Sequence, residues 1–536
     1  MLTRKYAHFA VGSVAAMALI ASGCTVTPEW SQFRYSAIRQ GDQFFESVLN
    51  NPASVATLHP GWSGPFHPQN AGFFTSSPIV YNGMIYIGNS NGFFYAINAT
   101  TGQQAWQYPL AGGTPLDSQF HCNPSSNGIA ATAAIASING VDAVIFGAAD
   151  RSSGAHLGDG HLFALDVTHG TVIWESPALA QVTGTTSGST TELHEQIGYS
   201  SPLVWYGAVY VGIADHCDNP IQRGKIMAVD LTTGHLKAGF SFAATAAGTR
   251  GGGIWGAAAA YQGLLVTTGN TRFDGQPEPS PNNGLSMLRL DLDTGAVVWK
   301  HQPVPFSMDS DPDWAAGPAI TWPTCGTVVV STQKDGWTWA VDETSASASA
   351  SVRWAFPPGP WSSGGFHPAD GTIHGDTDYK RPGASWGDVF VGTMGGYDTV
   401  TNLTAGYPRL HALNICGADA QRVRWIKDIP GAGGGPTYDL GPPTVTGGMF
   451  FVGTNGGHVV AVADPSIHAA LGSRCEDPDI PNSGCVHAGH VLVPDPWIKD
   501  VALPGGTNDA IFGEPVIVSG HIYVATWAGN VYMLQP

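Results

Sequence analysis

Residues 251–273, GGGIWGAAAAYQGLLVTTGNTRF, set one large aromatic, Trp255, among glycines and alanines. A tryptophan so flanked either fills a core or offers a flat surface to a flat ligand. Downstream, the same stretch ends at Gly269-Asn270, and asparagine there suits the left-handed backbone of a turn. The segment 302–318, QPVPFSMDSDPDWAAGP, carries Asp309, Asp311 and Asp313; such a loop is either solvated or holds an ion. Lys334 precedes Asp335-Gly336, a hairpin-turn dipeptide. Which of these residues can meet depends on the elements that carry them.

Charged residues make up 12% of the 536, about half the usual share, while there are 70 glycines and 17 tryptophans. This composition suits short strands and tight turns. The net charge of −18, with no Lys/Arg cluster, excludes a nucleic-acid binder, because neutralising phosphates needs grouped cations.

One unit recurs along the chain: a strand like VYVG, a glycine turn, a strand ending in Ala-Leu-Asp, then Thr-Gly and a tryptophan. The clearest copy is SSPIVYNGMIYIGNSNGFFYAINATTGQQAW, ending at Trp106. Later copies end at Trp174, Phe240 (in the tryptophan's place), Trp299, Trp354, Trp425 and Trp497, at spacings of 55–72 residues. An eighth, HIYVATWAGNVYML, stops at Pro536 without its outer strand. Each copy has about four strands and cannot bury both its faces alone, so the copies must close into a ring. The expectation is an all-β, eight-bladed β-propeller with four-stranded antiparallel blades. SVATLHPGW, ending at Trp62, supplies the missing strand and closes the ring. The mature chain, 24–536, then forms a single domain, with 24–62 as N-terminal extension and closing strand. The excess over a minimal repeat falls in loops such as QVTGTTSGSTTELHEQ and the run Ser345–Ser351.

The first residues read as a targeting segment. Arg4 and Lys5 precede an apolar run from Phe9 to Ala21, too short for a comfortable membrane span, and ALIASGC has the layout of a lipoprotein cleavage box. The reading is a signal peptide over 1–23, with lipidation at Cys24 and anchoring in the periplasm or cell envelope as the only membrane contact; an ordinary signal peptide with an incidental cysteine is the alternative. Six cysteines remain, an even number in an exported chain. Cys475 and Cys485 flank a polar loop and are the expected disulfide. Cys122–Cys217 and Cys325–Cys416 are further pairings. There is no CxxCH for covalent haem.

The blade pattern resembles the repeats of the pyrroloquinoline quinone (PQQ) proteins, the eight-bladed quinoprotein alcohol dehydrogenases and their relatives, including polyvinyl alcohol dehydrogenase. The resemblance covers nearly the whole mature chain. GGGIWGAAA with VTTGNT is similar to the family segment in which a tryptophan floors the quinone and an asparagine ligates the metal; it implies these roles for Trp255 and Asn270. QPVPFSMDSDPDWAAGP resembles the stretch with the catalytic base, implying Asp311 as base and metal-side residue and Asp313 as the second acid found in some members. STQKDGWTWAVD implies that Lys334 touches the quinone. The cofactors implied are PQQ and Ca²⁺, with a lanthanide open through Asp313. The activity implied is oxidation of an alcohol or sugar hydroxyl, with electrons leaving to a separate acceptor.

The chain departs from the family in three places. It has no adjacent cysteines to cover the quinone, and HCNPSSNGIAATAAIAS has no arginine. In GIADHCDNPIQRG only Asp215 or Asp218 replaces the metal-binding glutamate. The blade repeat also occurs in non-catalytic envelope lipoproteins, such as the propeller of the outer-membrane barrel-assembly machinery. A protein-binding scaffold is therefore the alternative function, and a degenerate quinoprotein without turnover is a third.

Overall fold

The computed structural model describes residues 29–536 except 71, 111–127, 150–158, 182–194, 215–220, 271–281, 305–312, 315, 335–336, 357–382, 395–408, 430–440, 468–485, 488–489 and 492–497. Eight four-stranded antiparallel sheets follow one another. Blade 1 consists of Ile79–Tyr81, Met84–Gly88, Phe93–Asn98 and Gln104–Pro109. Blades 2 to 7 occupy 134–175, 203–243, 259–301, 319–356, 384–428 and 444–502. Blade 8 takes three strands from 516–535 and its outer strand, His59–Pro60, from the N-terminal side. His59 pairs with Gln535 and Pro60 with Leu534, so the expected closing strand is the one that closes the ring.

The repeat motif explains how blades join. In blades 2 and 3 the Asp ending the third strand caps the following turn: Asp166 accepts from the amides of Thr168 (2.7 Å) and His169 (2.9 Å), and Asp230 does the same for Thr232 and Thr233. The glycine of the same turn then has positive φ, 69° at Gly170 and 71° at Gly234. A Cβ on either glycine would strike the tryptophan of the preceding blade, Trp106 or Trp174. Each indole also donates across the seam, Trp106 to Val167 O (3.0 Å), Trp174 to Leu231 O (3.0 Å) and Trp354 to Ile415 O (2.8 Å). Trp62 repeats this between blades 8 and 1, over Gly102 and to Ala99 O (3.3 Å). Phe240 has no N–H to give, and blade 3 compensates with Tyr210 Oη (3.0 Å) and Lys237 Nζ (2.6 Å), both donating to Leu292 O. The tryptophans are structural joints.

Two further features were not expected. Residues 30–43 cross the axial channel at one end and touch the inner strands of the blades in turn. Trp30 bridges Val80, Gln32 bridges Ala134, and the carbonyls of Ala37, Ile38, Gln40 and Gly41 accept from Ala260, Ile320, Ser385 and Val445. The extension is thus an axial plug as well as a closing strand. The run Ser345–Ser351, read as a plain loop, lies against blade 4: Lys300 donates to Ala348 O and Ala350 donates to Lys300 O.

Cys325 and Cys416 form a disulfide joining blades 5 and 6, with Cα atoms 5.8 Å apart. Cys24, Cys122, Cys217, Cys475, Cys485 and Trp497 lie outside the described residues. Among the described residues, no helix is long and apolar enough to cross a membrane.

Candidate functional site

The inner strand of each blade descends the channel wall toward the plug, and the segment before it begins at the opposite, loop-bearing end. Residues from four such segments and strand ends meet there. Trp255 precedes the inner strand of blade 4, and Asn270 follows the next strand, Leu264–Thr267. Asp313 precedes the inner strand of blade 5, and Lys334 follows Val328–Thr332. The alternation of descending and ascending strands therefore brings together residues up to 79 apart in sequence.

Asp313 is the hub. It is 3% exposed, and its Oδ2 accepts from Trp255 Nε1 (3.2 Å) and from Lys334 Nζ (3.2 Å). Its backbone carbonyl also accepts from the Lys334 amide (2.8 Å). The Lys334 ammonium sits over the Trp255 ring, 5.3 Å from its centroid, a cation–π contact. Asp313 Oδ1 lies 3.0 Å from where a Cβ on Gly269 would be, beside buried Asn270. The structure thus gathers Trp255, Asn270, Asp313 and Lys334. Asp311, Asp215 and Asp218 lie outside the described residues.

The glycines before Trp255 are required by backbone packing. Gly224 donates to Gly251 O (3.1 Å), Gly252 to Asn270 O (2.7 Å) and Gly269 to Gly253 O (2.7 Å). A Cβ on Gly224 would overlap the carbonyl of Gly252. The strip is clamped between the backbones of blades 3 and 4, so it must be glycine, and the clamp fixes the approach of Trp255. That pairing is long-range and has no signature in the local sequence.

Sequence reasoning also missed the aromatic wall behind Lys334. Trp337 and Trp339 stack at 5.5 Å, Trp339 donates to Gln333 Oε1 (2.8 Å), and His301 packs 4.6 Å from Trp339. Burial pushes the His301 imidazole down to about 4, so it is neutral at pH 7. The signal was present in GWTWAVD, where two tryptophans flank one residue.

Between Trp255 and the plug lies a narrow cavity that opens to solvent. Thr75, Ser77, Thr132, Ser201, Phe512 and Phe33 are among its walls. The hydroxyls are engaged from blade to blade: Glu514 N donates to Ser77 Oγ (2.9 Å), Ser77 N to Thr132 Oγ1 (2.9 Å) and Thr132 N to Ser201 Oγ (3.2 Å). They form a girdle around the axis.

Among the described residues, no three of His, Cys, Asp and Glu converge as a metal site of their own. The oxygens on offer near this site, the Asp313 carboxylate and the side-chain amide of Asn270, are hard donors, which suit Ca²⁺ or a lanthanide better than a soft metal. With a flat indole and a cation over its face, the set fits a planar anion accompanied by a hard metal ion.

Residues 30–345 match the family described as "PQQ: Glucose/ethanol/alcohol dehydrogenase, beta-propeller domain". The chain belongs to this family. A relative, quinoprotein alcohol dehydrogenase PedH of Pseudomonas putida, is 25% identical over 301 residues, half of this chain and 45% of that protein, so the match spans less than half the relative's length. Among solved structures, the quinohemoprotein alcohol dehydrogenase ADHIIG of Pseudomonas putida HK5 superposes with a TM-score of 0.64 at 16% identity, over 95% of this chain and 80% of that one. A europium-containing methanol dehydrogenase gives 0.63 at 16%, over 97% and 100%. At such identities the structural likeness establishes the propeller fold. The PQQ-repeat family and the eight-bladed architecture expected from the sequence therefore stand.

Proposed function

We propose that this chain is an exported quinoprotein dehydrogenase that binds PQQ and a hard metal ion at the loop-bearing end of its channel and oxidises an alcohol or sugar hydroxyl. The observation that carries the reading is the triangle of Trp255, Asp313 and Lys334, which a scaffold has no need to build. Family membership supports it, as does the sequence likeness to a quinoprotein alcohol dehydrogenase. Trp255 would floor the cofactor, held in plane by its Nε1 bond to Asp313 and by the glycine clamp. Lys334 presents positive charge at the ring face, where a planar anion would lie. Asn270 and Asp313 would hold the metal. The bound quinone would supply the two-electron acceptor that amino-acid side chains lack. Asp311, two residues before Asp313, is the assigned base for the alcohol proton; its carboxylate would take that proton as the C–H bond breaks. The electrons would pass to a separate acceptor, since the chain has no site for covalent haem. The metal is Ca²⁺ or a lanthanide, and the europium-containing relative keeps the second choice open.

The test is a PQQ titration of the purified protein, first with Ca²⁺ and then with La³⁺, read by tryptophan fluorescence. Saturable quenching is expected, abolished in Trp255→Ala and at least tenfold weaker in Lys334→Met. Asp311→Asn should still bind but lose dye-linked oxidation. Absence of quenching with both metals would overturn the reading and leave the non-catalytic envelope scaffold, the reading favoured by the missing cysteine pair and arginine.

A further inference from the structure

The two ends of the ring differ. One carries the long loops and the Trp255 site; the other carries the short hairpins after each inner strand, the Thr-Gly turns and the plug. We propose that this turn-bearing face is a membrane-docking surface that seats on a zwitterionic lipid bilayer, beyond any tether through Cys24 and independent of quinone binding.

Large apolar side chains stand out of this face around the ring. Val141 (43% exposed), Tyr206 (71%) and Trp322 (45%) occupy the hairpins of blades 2, 3 and 5. Phe44 (60%), Phe45 (47%) and Val48 (40%) belong to the segment that continues from the plug. That segment lies over the hairpins of blades 7 and 8, because Val48 abuts Gly520 and Asn50 abuts Gly447. Tyr206 is telling. It has φ 46° at a hairpin tip, where blades 1 and 2 place Asn82 (49°) and Asn139 (52°). Asparagine tolerates that backbone better than a bulky aromatic does, and although the Tyr206 ring meets Trp205 edge-on (4.9 Å), most of it stays in solvent.

Phe44, Phe45 and Val48 stand together on one short segment, and exposed apolar area so gathered marks an interaction surface. Its make-up, the apolar Phe44, Phe45 and Val48 flanked by the amphipathic Tyr206 and Trp322, is that of a bilayer interface, where the apolar rings enter and a tyrosine or tryptophan keeps its polar edge wet. The course of the chain agrees. Glu29, the first described residue, accepts from the Asn82 amide (3.4 Å) at the blade 1 hairpin, so the N-terminal segment enters on this face. Cys24 is five residues earlier, within at most ~18 Å of chain. A lipid there would bring this face, and not the Trp255 mouth, to the membrane. Charge selects the lipid class. The rim bears the turn aspartates, Asp293 with an 83% exposed side chain among them, and the chain's net charge is −18, so anionic headgroups would be repelled.

The experiment uses the mature chain, 24–536, with Cys24→Ser, so that neither an acyl group nor the apolar run Phe9–Ala21 contributes, in flotation with phosphatidylcholine vesicles. The protein should float, and brominated phosphatidylcholine should quench its tryptophan emission. Phe44→Ser/Tyr206→Ser/Trp322→Ser should lower the partition coefficient at least tenfold with unchanged melting temperature. Val172→Ser/Ile173→Ser, on an outer strand of blade 2, should leave it unaltered. Adding phosphatidylglycerol should weaken binding. Failure of the parent protein to float would overturn the proposal, as would equal flotation of the triple variant. So would a dimer that the triple variant abolishes in the absence of lipid binding, which would assign the face to a second copy. The PQQ titration is unaffected by any of these results, so the two proposals fail separately.

Discussion

At the scale of single residues, the site is held by an asymmetry between Asp313 and Lys334. The carboxylate is nearly enclosed and takes two donors on one oxygen, whereas the ammonium side chain is 12% exposed. Removing the cation leaves a buried charge with one fewer partner; removing the charge but keeping the oxygen does not. Lys334→Met should therefore cost about 2–4 kcal/mol in urea unfolding, and Asp313→Asn clearly less, because an amide oxygen can still accept from Trp255 Nε1. An equal loss in both would mean that the ion pair is not what orders the site. Gly224→Ala addresses the clamp. Its Cβ would meet the Gly252 carbonyl, which is backbone and cannot swing aside. It should destabilise the protein by about 1–3 kcal/mol and weaken PQQ quenching through displacement of Trp255. A variant with native stability and native titration would disconnect the glycine strip from the site.

At the scale of elements, the seams that Trp62, Trp106 and Trp174 close are each made by an indole on a glycine and an N–H on a carbonyl. The seam between blades 8 and 1 joins residues from opposite ends of the sequence. Trp62→Ala should cost about 2–3 kcal/mol, the low end for a core tryptophan because Trp62 is half-buried. Deleting 50–62 should lower the melting temperature sharply, and an unshifted melt would refute closure by the His59–Pro60 strand. These joints were legible in the sequence because the turn demands Asp, Thr and Gly at fixed places and the seam demands tryptophan, so the period survives loops of any length. The plug was not. Residues 29–43 repeat nothing, and Arg34 and Arg39 have the look of surface residues until the channel encloses them. The site was legible only in part. Trp255, Asn270, Asp313 and Lys334 were found through a family resemblance, while the glycine clamp and the seam-repairing Lys237 depend on contacts that no local pattern announces.

At the scale of the whole molecule, the plug ties the blades to one axis. Arg34 donates to the carbonyls of Gly383 and Pro443 and pairs with Glu514 (3.0 Å), and Arg39 donates to Ala258 O (2.9 Å) and Pro202 O (3.2 Å). Two side chains thus reach blades 3, 4, 6, 7 and 8, all in full burial. Burial pushes the Glu514 carboxyl up and the Arg34 guanidinium down, and their mutual attraction opposes both. The same axis makes stability depend on pH from both sides. Asp42, 2% exposed in the plug, has its carboxyl pushed up to about 8 by burial. Between about pH 4 and 8 the folded state therefore holds a proton there that the unfolded chain has released. Stability falls as pH rises through that window and levels off above 8. His301 acts in the opposite direction. Its folded value, near 4, lies below the unfolded value of about 6.5, so stability falls as pH drops from 6.5 toward 4. Asp42→Asn removes the first slope and leaves the second. In thermal melts from pH 5 to 9, the variant should hold a flat melting temperature above pH 7 where the parent declines, and the two should converge toward pH 5. A parallel decline in both proteins would show that the alkaline loss arises elsewhere and that the plug carboxyl is not buried as the ring geometry requires.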